Sequence, residues 1–340
     1  MFSKFNFFSN LISGDIAIDL GTANTLIWAK GQGILINEPS IVAFDEVNNQ
    51  VIAVGHEANA MVGKTPGNIK TIRPLKDGVI ADFKMADGMI QGFVRKMELS
   101  RIARPRMVIC IPSGVTDVEQ RAVKDSAIRA NASEVHLIYE PVAAAIGIGL
   151  DISVPRGNMI VDIGGGTTEI AVISLNDIVV QDSIRIAGDE QDNSVINWFK
   201  NEHKLEIGYR TAEKIKITVG AAIRSKEQRI SVKGRDLVSG IPKTIEVQSD
   251  EIRLAIKDTI THITEGIRRT LERTPPELSS DIIDYGIVLT GGGALLKGFD
   301  QHIRTKTGLP VHIAEEPLLS VVKGTGLVLE NLKKYKDILI

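Results

Sequence analysis

The sequence predicts a protein of strands and helices in two domains, or two lobes around a cleft, and three observations support this expectation. The chain has 340 residues, which is more than one hydrophobic core usually serves. A glycine-rich β-hairpin occurs twice along it. Residues 249–275 carry an apolar stripe at helical spacing. A ligand-binding site between the two lobes is therefore the first expectation.

The duplicated hairpin has a turn that suits phosphate. Residues 14–25 (GDIAIDLGTANT) align with residues 157–168 (GNMIVDIGGGTT) at a constant offset of 143 residues, and Gly, Asp, Gly and Thr recur in register. Small turn residues leave backbone N–H groups exposed and convergent, and Thr or Asn side chains add donors. We therefore predict that the two turns clamp one polyphosphate, although two ordinary hairpins with glycine turns would share this pattern. The predicted phosphate-binding residues are Gly21, Thr22, Ala23 and Asn24 in the first turn and Gly164, Gly165 and Gly166 in the second.

In each copy of the hairpin, the first strand carries an aspartate near its end, Asp19 in the first copy and Asp162 in the second. A carboxylate that points at a phosphate is repelled by it unless a cation lies between them. We therefore predict that Asp19 and Asp162 hold Mg²⁺, through the water ligands that this ion keeps.

A third glycine cluster lies where a strand meets a helix, in residues 285–296 (YGIVLTGGGALL). Glycine at such a junction permits close approach of the backbone to a flat ligand such as a purine or a ribose. The motif by itself does not identify the ligand. Its candidate binding residues are Gly291, Gly292, Gly293 and Ala294.

Composition excludes several classes of function. The chain is 43% hydrophobic and 24% charged, and its net charge of -2 without a long run of like charges gives non-specific nucleic-acid binding no electrostatic basis. The single cysteine, Cys110, excludes disulfides within the chain and a cysteine-based zinc site, which fits a reducing, cytoplasmic setting. No apolar run approaches the roughly 20 residues of a membrane span.

The apolar stripe of residues 249–275 predicts one core helix. Ser249 is a suitable N-cap, and Pro275 and Pro276 end the helix. This helix is expected to contribute architecture and no chemistry. The stripe consists of Ile252, Ile256, Ile260, Ile263 and Ile267.

Taken together, the motifs resemble those of the actin-like ATPases and, within them, the MreB family of bacterial cell-shape proteins. IDLGTANT (18–25) is similar to the first phosphate loop of that superfamily, VDIGGGTTE (161–169) to the second, and LTGGGALL (289–296) to its adenosine motif. Three connecting stretches, at residues 37–40, 73–83 and 140–145, also resemble the family. The resemblance covers residues 14–330, and its motifs are specific in their combination and order.

The resemblance implies the actin-like ATPase fold, with two related α/β domains around a nucleotide cleft and a small subdomain inserted in each. Residues 226–248, with short alternating stretches around Gly234 and Gly240, agree with such an insertion. The implied division is a membrane-targeting segment at 1–13, domain I at 14–145 and 316–340 with an insertion at about 33–66, and domain II at 146–315 with an insertion at about 182–245.

Glu140 is the candidate catalytic residue. It follows the apolar run of residues 135–139 and precedes Pro141, so a strand is expected to pass into a helix here. A carboxylate that complements a helix dipole is the alternative interpretation. The resemblance implies that Glu140 positions or deprotonates the attacking water and that Thr167 helps to hold it. Many relatives have an acidic residue immediately before this glutamate, whereas this chain has Tyr139.

Glu213 and Lys216 lie three residues apart, on one face of a predicted helix. A solvated ion pair is the ordinary explanation of such spacing. The resemblance implies instead that both side chains bind the ribose and the adenine of the nucleotide.

The N-terminal segment, MFSKFNFFSNLIS, has the pattern of an interfacial helix. Polar residues occupy the opposite face, and packing of the segment on the protein's own core is the alternative. The resemblance also implies a second membrane-touching loop at Phe93 and Val94, although spacing alone makes these two residues core positions of a helix. The predicted membrane-binding residues are Phe2, Phe5, Phe8, Leu11 and Ile12.

The function that the resemblance implies is that of a cytoskeletal ATPase. With ATP and Mg²⁺ it would form paired filaments of its own copies on the inner face of the cytoplasmic membrane, and these would organise cell-wall synthesis with membrane-bound elongation proteins such as RodZ, MreC and MreD. The main alternative is a small-molecule kinase of the same superfamily, which would use both phosphate loops but would need an aspartate base. A chaperone-like ATPase is the other alternative, although no substrate-binding domain follows residue 335 in this sequence.

Overall fold

The structure, a computed structural model, describes residues 14–97, 104–224 and 226–340, and the chain forms two compact units. The first unit consists of Met1–Arg156, Ile173–Val179 and Leu318–Ile340, and the second of Gly157–Val172 and Val180–Pro317. The predicted interfacial helix at residues 1–13 lies outside the described residues. The predicted domain boundaries remain a prediction.

The first unit contains a five-stranded sheet with helices packed on it. The elements up to residue 147 are β1 (Ile16–Leu20), β2 (Asn24–Ala29), β3 (Gly33–Pro39), β4 (Val42–Asp45), β5 (Gln50–Val54), α1 (His56–Met61), β6 (Ile69–Ile72), β7 (Leu75–Lys76), β8 (Val79–Ile80), α2 (Phe83–Lys96), β9 (Arg106–Ile111), α3 (Asp117–Arg129), β10 (Glu134–Tyr139) and α4 (Glu140–Gly147). In the sheet order β10-β9-β1-β2-β3, the pairs β1–β9 and β9–β10 are parallel, and the pairs β1–β2 and β2–β3 are antiparallel.

The second unit is built around another five-stranded sheet. The remaining strands and α-helices are β11 (Asn158–Ile163), β12 (Thr168–Ser174), β13 (Asp177–Ile184), α5 (Gly188–Glu202), β14 (Leu205–Glu206), α6 (Tyr209–Val219), β15 (Arg229–Asp236), β16 (Pro242–Gln248), α7 (Ser249–Ala255), α8 (Lys257–Arg273), α9 (Pro276–Tyr285), β17 (Ile287–Thr290), α10 (Phe299–Thr307), β18 (Val311–Ile313) and, in the first unit, α11 (Ser320–Glu330). The order of the sheet is β13-β12-β11-β17-β18, and β17 is parallel to both of its neighbours.

The duplicated hairpins of the sequence are confirmed as β1–β2 and β11–β12, and each first strand is the central strand of its sheet. Every residue of β11 is buried, which explains its nearly continuous apolar sequence. In both sheets a parallel neighbour, β9 or β17, lies beside this central strand. The strand ends that carry Asp19 and Asp162 therefore lie at equivalent places in the two sheets.

Each unit also has a small separate sheet. In the first unit, β4, β5 and β6 form it, whereas β3, at the predicted start of the insertion, pairs with β2 in the main sheet. In the second unit, β14, β15 and β16 form an antiparallel sheet whose connecting turn contains Gly240 at a φ of 75°. The left-handed conformation at this turn requires a residue such as glycine.

Close helix packing in the first unit depends on two glycines. A Cβ at Gly147 of α4 would lie 1.9 Å from the carbonyl oxygen of Ser320, and a Cβ at Gly324 of α11 would lie 1.7 Å from that of Ala143. No side chain fits at such distances, so the two backbones can approach only because both positions are glycine. Helix α4, which begins with Glu140, is thereby held against α11.

Phe93 and Val94 do not form the membrane-touching loop that the resemblance implies. Both lie in helix α2, where Phe93 is fully buried in the core with Met89 and Val94 packs partly buried against the same cluster. The bare helical spacing was the better guide, because an apolar stripe on a surface helix normally faces the core. Among the described residues, no helix is both long and apolar enough to cross a bilayer.

The predicted core helix at residues 249–275 is two helices, α7 and α8, that meet at Ile256. The Thr259 hydroxyl donates to the Ile256 carbonyl at 2.6 Å. This carbonyl therefore accepts a side-chain hydrogen bond besides any from the helix backbone. The N-cap is Gln248, with Glu251 completing a capping box, whereas the Ser249 hydroxyl accepts from the Gln228 amide. All five isoleucines of the stripe are buried, as predicted.

Candidate functional site

The first phosphate loop, between β1 and β2, is held by Ser40. The Ser40 hydroxyl donates to the Gly21 carbonyl at 2.5 Å, and the Ser40 amide donates to the Ala23 carbonyl at 2.9 Å. In a trans peptide the C=O and the following N–H point in opposite directions. The amides of Thr22 and Asn24, which follow these carbonyls, therefore point away from Ser40, as a phosphate-binding loop requires.

Two further contacts restrict this loop. A Cβ at Gly21 would lie 2.7 Å from the Asn24 carbonyl oxygen, so the tight turn needs glycine. The buried Thr22 hydroxyl accepts the amide of Gly78 at 3.1 Å, which leaves its own proton available to another acceptor. Ala23 is partly buried and Asn24 is exposed.

The second phosphate loop, between β11 and β12, is held in the same way by the start of helix α5. The amides of Gly188 and Asp189 donate to the carbonyls of Gly164 and Gly165, at 3.2 and 2.8 Å. By the same peptide geometry, the amides of Gly165 and Gly166 point away from α5. In both loops, therefore, residues outside the loop hydrogen-bond to two loop carbonyls and fix their orientation.

Asp19, Cys110 and Glu140 come together in the first unit. Their potential ligand atoms all lie within 4.8 Å of one another, and the Cys110 thiol donates to Asp19 Oδ1 at 3.4 Å. Burial raises the pKa of Asp19 to about 6, although the thiol hydrogen bond opposes the shift. Burial and the two carboxylates raise the pKa of Cys110 well above its usual value, so the thiol stays protonated at neutral pH. The protonated thiol is therefore a hydrogen-bond donor here.

We expect Asp19→Asn to stabilise the ligand-free protein by about 1–2 kcal/mol at pH ~7.5, where the raised pKa means that the partly buried carboxylate is ionised at a cost. Because Asp19 is protonated below its folded pKa of about 6, the difference should shrink towards pH ~5. Urea unfolding at both pH values measures this, with exposed Asp337→Asn as the matched control. Equal stability of wild type and variant at both pH values would contradict the expectation.

Asp162 is held at the end of β11 by the third glycine motif. The Thr290 hydroxyl, at the end of β17, donates to Asp162 Oδ1 at 2.9 Å. A Cβ at Gly291, whose φ is +77°, would lie 2.6 Å from the same oxygen, and a Cβ at Gly293 would lie 2.2 Å from Ile163 Cγ2. The glycines therefore let this motif pack directly on the strand that carries Asp162, while Gly292 is exposed and Ala294 is buried.

Lys216 of α6 is bound to α5 rather than to Glu213. Its ammonium lies 2.9 Å from Asp192 Oδ1 and donates to the Gly188 carbonyl at 2.7 Å. The side chains are 14% and 2% exposed, so a solvated ion pair with Glu213 is the wrong interpretation. Since Gly188 holds the second phosphate loop, Lys216 supports that loop through α5. Burial raises the pKa of Asp192 to about 6 against the opposing effect of Lys216.

We expect Lys216→Met to lower the free energy of unfolding by about 3 kcal/mol at pH ~7.5, because it leaves the buried Asp192 carboxylate without its cation. Loss of Lys216 raises the pKa of Asp192 further, so protonation should relieve the cost towards pH ~5. Adding Asp192→Asn should restore stability at pH ~7.5, since a neutral pair needs no cation. Urea unfolding tests this, with exposed Lys214→Met as the control, and failure of the double variant to recover would contradict it.

Thr167 and Glu213 occupy ordered positions next to these elements. Thr167 closes the second loop, with its carbonyl accepting the Gly164 amide at 2.9 Å, and it is 7% exposed. Glu213 is partly buried on α6, and its charge contributes to the raised pKa of Asp192, which places it near that carboxylate. The predicted membrane residues, Phe2 to Ile12, lie outside the described part of the chain.

Four supporting residues were not identified from the sequence: Ser40, Gly188, Asp192 and Thr290. Each contacts a predicted site residue that is distant along the chain, by 128 residues for Thr290 and Asp162. A single sequence holds no signal for such pairs. The contact of Cys110 with Asp19 follows only from the parallel pairing of β1 and β9, in which the two residues are partners.

Comparison with known families and proteins gives consistent results. The family model described as MreB/Mbl protein matches residues 13–337. Cell shape-determining protein Mbl of Bacillus subtilis is 51% identical over 326 residues, which cover 95% of this chain and 98% of that protein. Cell shape-determining protein MreB of Escherichia coli K12 is 49% identical over 335 residues, with 96% of each chain covered.

Solved structures show the same fold. MreB5 of Spiroplasma citri bound to ADP has a TM-score of 0.89 at 39% identity, covering 95% of this chain and 97% of that one. The same protein bound to AMPPNP has a TM-score of 0.87. A MamK double helical filament has a TM-score of 0.79 at 20% identity and covers 93% of this chain and 99% of that one, a likeness of fold alone. The prediction of an actin-like α/β fold is confirmed.

Proposed function

The chain belongs to the MreB/Mbl family, and from that premise we propose that it is an actin-like cytoskeletal ATPase that determines cell shape. It binds and hydrolyses ATP, and the nucleotide controls its assembly into paired filaments on the inner face of the cytoplasmic membrane. The filaments organise cell-wall synthesis, with membrane-bound proteins such as RodZ, MreC and MreD as partners.

The observation that carries this proposal is the fixed geometry of the two phosphate loops. In each loop, groups outside the loop hold the carbonyls, so the intervening amides point away from them and can meet phosphate oxygens. A glycine turn that only connects two strands has no need of this support. The bound ADP and AMPPNP named for the 39% identical Spiroplasma citri protein favour an adenine nucleotide as the ligand.

Mg²⁺ is the cation that these residues fit. Asp19 and Glu140 supply hard carboxylate oxygens in one cluster, and the protonated Cys110 thiol beside them is a poor ligand for a hard ion. Asp19 and Asp162 would hold the ion through its waters. When bound, the ion neutralises phosphate charge in the nucleotide.

Hydrolysis is assigned to Glu140, with Thr167 helping to hold the water. Glu140 begins α4, next to Asp19, and the packing of α4 on α11 holds it in place. As a carboxylate it can orient the attacking water and accept its proton. Glu213 and Lys216 bind the ribose and the adenine in this proposal, and two of the three ammonium donors of Lys216 are committed to α5.

Membrane attachment is assigned to the N-terminal segment. Removing residues 2–13 should release filaments from anionic liposomes and leave assembly intact, because the deletion takes away Phe2, Phe5, Phe8, Leu11 and Ile12. Many weak anchors along one filament bind the membrane together. The deletion should therefore reduce the liposome binding of filaments more than that of single subunits. Co-sedimentation with and without liposomes measures both effects, and persistent liposome binding would place the anchor elsewhere.

Electron microscopy on a lipid monolayer tests the proposal as a whole. Purified protein should form paired filaments with Mg·ATP and dispersed particles without nucleotide. Dispersed particles in both conditions, with intact ATP binding, would contradict the proposal. If the protein also transferred the terminal phosphate to a sugar or a carboxylic acid faster than to water, the result would support a small-molecule kinase.

A further inference from the structure

A basic groove lies on the second unit between helices α8 and α10. It is a cavity of about 690 Å³. Among its lining residues, Glu265 is the one acid. Such a local excess of positive charge contrasts with the net charge of -2 for the whole chain. The positively charged lining residues are Arg253, Lys257, Arg268, Arg269 and Lys306.

The groove has two regular walls because each helix turns one face towards it. On α8, Lys257, Thr261, Thr264 and Arg268 recur at four, seven and eleven residues from the first, which is one side of a helix. On α10, His302 and Lys306 are four residues apart and line the other wall. The buried Ile260, 2% exposed, contributes an apolar floor.

Much of this positive charge is available to a ligand. Arg253, Arg268 and Arg269 each have an acidic neighbour, at 2.7, 3.4 and 2.9 Å. The Arg268 and Arg269 side chains are 74% and 51% exposed, and ion pairs at such exposed side chains contribute little to stability. Lys257 and Lys306 have no ion-pair partner among the described residues. Burial, together with the smaller effect of the Lys306 charge, lowers the pKa of His302, so this imidazole is neutral at pH 7 and adds no charge.

The dimensions of the groove indicate which anion fits. Lys257 and Arg268 are eleven residues apart on α8, which separates their Cα atoms by about 16 Å along the helix axis. A single phosphate cannot contact both ends, whereas an extended peptide covers that length with about five residues. A bilayer surface is flat and cannot enter a cavity between two helices.

We propose that the basic groove binds an extended acidic segment of a partner protein. Carboxylates near the ends of the segment pair with Lys257 and Arg268, Lys306 holds it from the other wall, and its apolar atoms lie over Ile260. This interaction does not depend on the nucleotide site, so it can be tested whether or not the protein hydrolyses ATP.

A fluorescein-labelled octaglutamate peptide is the probe. Fluorescence anisotropy with the full chain at about 50 mM salt should show saturable binding that weakens as salt is raised, since ion pairs at a surface are screened. The variant Lys257→Glu/Lys306→Glu should bind the peptide at least roughly tenfold more weakly, because two attractive charges become repulsive. A labelled octalysine peptide should not bind in the groove.

The matched control is Lys64→Glu/Lys333→Glu, which makes the same change in net charge at two exposed lysines of the first unit. It should bind octaglutamate as the wild type does. Lys257→Gln/Lys306→Gln, checked for unchanged thermal unfolding, separates lost attraction from misfolding and should also weaken binding. Absence of binding, or equal loss in the control, would overturn the proposal. Binding to anionic vesicles through Lys257 and Lys306 without binding to octaglutamate would also overturn it.

Discussion

Replacing Asp162 by alanine is expected to lower the affinity for Mg·ATP by about 100-fold, equivalent to about 2.7 kcal/mol, and to abolish filament assembly. The carboxylate is 6% exposed and is fixed by the Thr290 hydroxyl, so its position is set before any ligand arrives. The alanine variant lacks the carboxylate that is proposed to attract the cation accompanying the phosphates. Titration of a fluorescent ATP analogue with and without Mg²⁺, followed by sedimentation, measures both effects.

Two variants separate the charge of Asp162 from its packing. Asp162→Asn keeps the shape and an acceptor for Thr290, and it should lose nearly as much Mg²⁺-dependent affinity as the alanine variant. Thr290→Val keeps the charge but removes the hydroxyl that positions it, and a smaller loss is expected, about tenfold, from one hydrogen bond to a charged group. Unchanged nucleotide affinity and normal filaments in Asp162→Ala would refute the assignment.

Replacing Glu140 by alanine is expected to leave nucleotide binding within about threefold of the wild type and to slow phosphate release by about 100-fold or more, the usual contribution of a general base. Binding should survive because Glu140 lies in neither phosphate loop, and Asp19 and Asp162 remain to hold the cation. Phosphate release at saturating Mg·ATP, measured on assembled protein, tests this.

The control for Glu140 is Glu57→Gln, an exposed glutamate in the first turn of α1 of the same unit. Glu140→Gln should behave like the alanine variant, because an amide cannot accept the proton of the water. Filaments of both Glu140 variants should persist longer after ATP is limiting, if hydrolysis promotes disassembly. Wild-type turnover in Glu140→Ala would show that another group handles the water.

The two expected phenotypes distinguish binding from chemistry. Asp162→Ala should lack nucleotide and filaments, whereas Glu140→Ala should have both but little turnover. If both variants lost binding, the cluster of Asp19, Cys110 and Glu140 would be structural, since removing one member would then disturb the first phosphate loop. The stability of ligand-free Glu140→Ala, measured by urea unfolding, decides between these explanations.

The sequence by itself determined the local elements and their chemistry. Strand alternation and turn glycines located the two hairpins, because strand and turn preferences act over a few residues. The register of the repeat placed Asp19 and Asp162 at strand ends, and Pro141 placed Glu140 at the start of a helix. Helical spacing also identified Phe93 as a core residue, where the family resemblance implied a membrane loop.

Only the tertiary structure decided which groups support that chemistry. Ser40 holds the first loop, and Gly188 holds the second. Lys216 forms its ion pair with Asp192 of α5 and not with Glu213 of its own helix. The basic groove likewise exists because α8 and α10, which are far apart in the sequence, lie side by side. Such contacts depend on how sheets and helices pack. Packing brings together residues that are distant along the chain, and the periodicity of apolar residues in the sequence does not indicate which of them will meet.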